Sequence, residues 1–263
     1  MNDEFYIGWE KSAAPGLARA NRRLVAGLLL LALVVAALLA AAQHQIGVSV
    51  FEFGTLKHFT GVLQLKPYPH LLVPRPAVTD GQPAFSAYYL VAPLKHGLDV
   101  QRFAPLDGKN VVLQGTLIYR GNQTMVEAIP DSIQATNSIP ATLAAVAETS
   151  AVELGRQTLV GEIVDSKCYL GVMNPGQLLP HRACAIRCLS GGVPPMLLVR
   201  QSHGPAVYVL LVSASGEPVN QAVLDLVAEP VEITGDLERQ GDLLILRSDP
   251  ATYRRYIPSS PDL

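Results

Sequence analysis

The sequence predicts a mainly β chain behind one apolar helix, and three observations carry that expectation. An uninterrupted apolar run lies near the N-terminus, the remainder repeats one pattern of short strands twice, and the second copy alone holds a Cys/His-bearing insertion. Strand-like runs rich in Val, Leu, Ile and Tyr and bounded by Gly, Pro, Asp and Asn are what small β modules require.

Leu24 to Ala42 contains only Leu, Ala, Val and the single Gly27. At about 1.5 Å per residue this run reaches roughly 28 Å, close to the hydrocarbon thickness of a bilayer. It also accounts for part of a biased composition, 49% hydrophobic and 16% charged. Arg19, Arg22 and Arg23 stand directly before it, and the first charge beyond it is Glu52. The positive-inside rule then assigns residues 1–23 to the cytoplasm and 24–42 to a transmembrane helix, with the rest in the bacterial periplasm. A cleaved signal peptide ending at Ala40-Ala41-Ala42 is the rival, but signal cores run to about 7–15 residues and this one is longer. No acylation-type cysteine lies near the N-terminus, which excludes a lipoprotein. The expected partners are the lipid bilayer, through 24–42, and a membrane or periplasmic protein. A net charge of −2 without a long basic run gives no electrostatic footprint for nucleic acid.

The first β module is expected over residues 43–130. Its strand signals are His58 to Leu63, His70 to Val73, Ala87 to Val91, Val111 to Tyr119 and Thr124 to Ile129. The second, over 157–250, offers Thr158 to Ile163, Met196 to Val199, Ala206 to Leu210, Val231 to Glu238 and Leu243 to Leu246. Gly61 and Gly115 in the first copy match Gly161 and Gly235 in the second, where a strand glycine marks a bulge or bend. Each copy closes on a hairpin signal, Arg120-Gly-Asn and Arg239-Gln-Gly. Five strands with a kinked long strand and a helical piece before the last hairpin, Pro218 to Val227 in the second copy, indicate tandem OB-like barrels. Pro140 to Gly155 has a proline at a helix start and a glycine past its end, so residues 131–156 read as a helical linker. Residues 251–263 read as a polar tail.

Gly61 lies ten positions before Leu71, whereas Gly161 lies thirty-six before Leu197. The surplus, an insert over 165–193 between strands 1 and 2 of the second module, contains the chain's three cysteines. In OB barrels the loop joining those strands helps to build the binding face. The second module therefore reads as a scaffold with a functional insert, and the first as a spacer or docking copy.

His181, Cys184 and Cys188 fall at i, i+3 and i+7 of a short helix, and Cys168 lies upstream across a Gly/Pro-containing loop. Thiolates and imidazole suit zinc, copper or an iron–sulfur centre, so Cys168, His181, Cys184 and Cys188 form a candidate Cys₃His ligand set. Asp165 is a candidate hydrogen-bond partner that would orient His181, a contact only the fold can show, and Arg182 and Arg187 flank the cysteines where a cation favours thiolate. Such a centre would serve electron transfer, metal handling or assembly of a membrane complex. Two alternatives use the same residues. Cys168 bridged to Cys184 or Cys188 would make a disulfide-stapled structural or interaction subunit, and cycling thiols would make a redox protein. No P-loop and no Ser/His/Asp set can be assembled, so an enzyme is not the favoured class.

The stretch Gly161-Glu-Ile-Val-Asp165-Ser-Lys-Cys168, with His181-Arg-Ala-Cys184 and Cys188-Leu-Ser-Gly-Gly-Val-Pro194, resembles small exported bacterial domains sharing a G-x-V-x-D-x-x-C…H-x-x-C-A-x-x-C…G-x-P core. The resemblance covers about residues 158–200 and implies that the insert is the working part. A membrane-anchored OB barrel is also similar to the haem chaperone of cytochrome c maturation, but that family's haem-attaching His-x₃-Tyr is missing here.

Overall fold

The computed structural model describes residues 14–43, 48–75, 85–137, 152–201 and 205–257. The chain divides into two compact units, Met1–Gly47 and Val48–Leu263. In the first, α1 (Pro15–Gln43) opens on a proline, whose fixed φ and missing N–H suit the first helical position. The helix starts before the apolar run, so Arg19, Arg22 and Arg23 occupy its early turns. It is long and apolar enough to cross a membrane, and its apolar window is wholly unburied.

The second unit holds two closed five-stranded OB-like barrels. The first barrel is built from β1 (Ser49–Phe51), β2 (Lys57–Gln64), β3 (His70–Pro74), β4 (Phe85–Val91), the short helix α2 (Val100–Phe103), β5 (Asn110–Arg120), β6 (Gln123–Ala128) and β7 (Gln134–Ala135). Its ring runs β2-β3-β4-β6-β5 and returns to β2, with β4 and β6 parallel. The second barrel comprises β8 (Val152–Asp165), the insert helix α3 (Arg182–Ser190), β9 (Pro195–Val199), β10 (Val207–Val212), β11 (Pro230–Gln240), β12 (Leu243–Arg247) and β13 (Arg254–Arg255). Its ring, β8-β9-β10-β12-β11, closes in the same way.

The repeat extends to the register. Lys57 pairs with Gly115 and Gly61 with Val111, while Gln157 pairs with Gly235 and Gly161 with Val231. Each closing hairpin turns on a glycine with positive φ, Gly121 at 59° and Gly241 at 62°, a conformation other residues adopt only under strain. The helical piece expected over Pro218 to Val227 is a 3₁₀ helix, Gln221–Leu226.

Two segments differ from expectation. Of the 131–156 linker, residues 138–151 lie outside the described residues, but Val152–Gly155 begin β8 and are not helical. Their partner β11 is long enough to offer them ladder hydrogen bonds, and that pairing overrides a helix-like local composition. In the tail, Pro250–Thr252 form a 3₁₀ turn and β13 pairs with β11, as β7 does with β5 in the first barrel. Residues 258–263 lie outside the described residues.

Each barrel has its own apolar core, around Leu63, Leu71 and Leu113 in the first and Ile163, Leu197 and Leu211 in the second. A further cluster belongs to both. It joins Tyr89, Ile118 and Met125 of the first barrel to Leu170, Leu198 and Leu210 of the second, with Cys168 and Cys188 inside it. Polar contacts reinforce the seam. The Tyr68 hydroxyl donates to the Leu211 carbonyl at 3.4 Å and accepts from the Val219 N–H at 3.0 Å. The Asp242 carboxylate accepts from the Ala87 N–H at 3.1 Å and from Arg75 at 3.2 Å. Because this core is shared, Leu198→Ala should destabilise both barrels together by about 2–5 kcal/mol. Urea unfolding followed by circular dichroism should show one transition moved to lower denaturant; two separated transitions would contradict a common core.

Candidate metal centre

β8 ends at Asp165, whose side chain is wholly buried and has two occupations. Oδ1 accepts the Cys168 N–H at 2.7 Å, which fixes the tight turn after the strand. Oδ2 lies 2.9 Å from His181 Nε2, which ties the turn to the start of α3. A 3₁₀ turn, Leu179–His181, leads into that helix and places His181 at its N-cap. Cys184 and Cys188 then share one face of α3, four residues apart.

The three sulfurs converge. Cys168 Sγ lies 3.8 Å from Cys184 Sγ and 3.8 Å from Cys188 Sγ. All three cysteines are free, and this separation is nearly twice the roughly 2.05 Å of a disulfide bond. The disulfide-stapled alternative therefore does not describe this structure. A tetrahedral ion with Zn–S bonds of about 2.3 Å needs sulfurs about 3.8 Å apart, which is the spacing found.

His181 is buried nearby but does not complete a single four-membered set. The potential ligand atoms form two groups that share Cys168: Cys168, Cys184 and Cys188, and Asp165, Cys168 and His181. Arg182 points elsewhere, pairing with Glu229 and donating to the Asp225 carbonyl at 2.9 Å. It anchors α3 to the second barrel and pairs away from the thiols, because its acceptors lie in the 3₁₀ helix Gln221–Leu226 and on the loop that follows it. Arg187 lines the cavity beside the sulfurs.

The cation at the thiols is Lys95, which comes from the loop after β4 of the first barrel. Its Nζ lies 2.7 Å from Cys184 Sγ and 3.9 Å from Cys188 Sγ. The hydrogen bond to Cys184 raises the lysine's pKa. A hydrogen bond to Cys188, then burial and the Asp165 charge, push the Cys168 thiol up. The same hydrogen bond pulls Cys188 down against the effect of burial, and Lys95 adds to the lowering. Backbone packing delivers Lys95. The Gly97 N–H donates to the Gly191 carbonyl at 2.8 Å, and a Cβ on Gly191 would collide with the Lys95 carbonyl oxygen. The first barrel is thus part of the site and more than a spacer. Local sequence around residue 95 carries no sign of this, since the contact spans 89 residues.

Lys167 was also hidden from sequence reasoning. Its side chain is 1% exposed, yet its ammonium donates to the carbonyls of Leu94 at 2.6 Å and Ala92 at 2.9 Å and pairs with Glu127 at 2.5 Å. All three partners belong to the first barrel. Beside the sulfurs lies a cavity of about 680 Å³, lined from both barrels.

No protein-family model matches the chain, and no curated protein matches it. Among solved structures, a deletion mutant of the single-stranded DNA-binding protein from Thermus aquaticus aligns over 82% of this chain and 97% of its own, with 12% identity and a TM-score of 0.20. A likeness this slight carries no weight for fold or function. The OB-like assignment rests on the strand pairings themselves.

Lys167→Met would leave Glu127 beside the apolar seam without its cation and should cost about 3 kcal/mol, with Glu127→Gln in the same chain recovering part of the loss. Denaturant unfolding of the single and double variants checks this. Equal losses in both would assign Lys167 a packing role alone.

Proposed function

We propose that this protein is a membrane-anchored metal carrier that holds one soft or borderline ion on the thiolates of Cys168, Cys184 and Cys188. The observation that carries the proposal is the 3.8 Å spacing of Cys168 from each of the other two sulfurs. Three sulfurs this close address one ion, zinc or Cu(I), and not the separate irons of an iron–sulfur cluster. Asp165 holds the Cys168 backbone and His181 together, and so orients the centre from behind. Lys95 offsets the charge that three thiolates collect. With three protein ligands, the fourth position opens toward the cavity, as in sites that exchange a ligand, whereas closed structural sites use four. That openness favours metal handling over electron transfer.

The arginines before the apolar run support an N-terminus in the cytoplasm and barrels in the periplasm of a bacterial inner membrane. A periplasm-dependent reporter joined after Leu263 should be active and a cytoplasm-dependent one silent; the opposite result reverses the topology.

A second reading, thiol–disulfide exchange, is favoured by one observation: Lys95 sits on the sulfur of Cys184, where a cation makes a thiolate nucleophile. Metal content and thiol counting separate the two. The full chain, purified in detergent without chelator, should carry about one ion per chain and expose three reactive thiols once the ion is removed. Serine at Cys168, Cys184 or Cys188 should weaken metal binding by more than about tenfold. Metal-free protein with one reactive thiol would instead support exchange chemistry.

A further inference from the structure

We propose that the cavity beside the three sulfurs binds a small organic anion with an apolar body, whose negative end meets the open position of the ion. This inference rests on the metal reading of the centre.

The cavity's chemistry is asymmetric. Lys95, Arg187 and His96 line it, and no carboxylate is among its lining residues. Lys167 also reaches it, but Glu127 already neutralises that ammonium. Asp165 does not line the cavity: one of its oxygens accepts the Cys168 N–H and the other lies 2.9 Å from His181 Nε2. Among the described residues, Lys95 and Arg187 therefore line the cavity with no carboxylate paired to either. A negatively charged ligand end can meet both cations, which a neutral ligand cannot do.

Leu94, Val172 and Met173 give the wall an apolar part. At about 680 Å³ the space falls within the range of about 300–1,000 Å³ usual for small-molecule sites. Water or a free inorganic anion would leave that apolar wall without a partner. An organic acid covers both surfaces, its charged end toward Lys95 and Arg187 and its body against the three apolar side chains.

The test uses the full chain in neutral detergent, loaded with Co(II), whose thiolate charge-transfer and ligand-field bands report the centre. The probes are 3-phenylpropanoate and its uncharged isostere 3-phenylpropanamide. The acid should shift the ligand-field bands at concentrations about tenfold lower than the amide, and Arg187→Gln should reduce that preference by about threefold or more while the charge-transfer band persists. Equal effects of acid and amide, or no effect of either, would overturn this inference and leave the metal centre standing. An undiminished preference in Arg187→Gln would overturn it too, since the anion would be held by other groups. Failure of Co(II) to produce a thiolate charge-transfer band would overturn the metal centre and this inference together.

Discussion

The Lys167 ammonium has left water almost entirely, and three oxygens of the opposite barrel replace its hydration: the carbonyls of Ala92 and Leu94 and the carboxylate of Glu127. A buried cation is tolerable only when its partners are fixed in place. Here they are fixed by β6 and by the loop that leaves β4, so the lysine locks the root of the insert to the first barrel. Its neighbour in sequence is Cys168, and the loop it grips carries Lys95. One buried ion pair therefore sets the positions of both the central thiol and the cation that faces the other two. Without that lock, the insert would be a long loop on one barrel, free of the second wall that makes it a site.

The shared core makes the same point in apolar terms. Cys168 and Cys188 lie in the cluster that joins the barrels, with Leu170, Leu198 and Leu210 on one side and Tyr89, Ile118 and Met125 on the other. Burial there dehydrates the sulfurs on one flank and leaves Cys184 partly exposed on the other. The duplicated barrels explain how such a seam arises. Both copies keep the same strand order and register, and they differ chiefly in what lies between strands 1 and 2, five residues in the first and the whole insert in the second. The copy with the short loop provides the surface against which the long loop folds.

Much of this was legible in the sequence, and the boundary of legibility has a physical cause. The apolar run, the hairpins at Gly121 and Gly241, and the matched strand glycines are local signals, and the structure repeats them in order. Asp165 could be named as a possible partner of His181 because both lie on one short insert, but only the fold shows the contact. Lys95 and Lys167 could not. Their partners are supplied by the packing of one barrel on the other, and neither periodicity nor motif encodes that contact. The glycines that allow it, Gly97 and Gly191, look in the sequence like ordinary turn residues. Val152–Gly155 were misleading for a related reason, because a helix-like composition yields where a long strand alongside offers a ladder. His181 shows the limit of ligand spacing: i, i+3 and i+7 put it near the cysteines, but its ring groups with Asp165 and Cys168 and not with Cys184 and Cys188.

The central claim is that Cys168, Cys184 and Cys188 share one ion. X-ray absorption at the metal edge of the full chain, isolated from native membranes, tests it most directly. The account predicts a first shell of three sulfurs at about 2.3 Å with one lighter atom beside them. A shell of nitrogen and oxygen alone, or a metal–metal distance from a cluster, would contradict it.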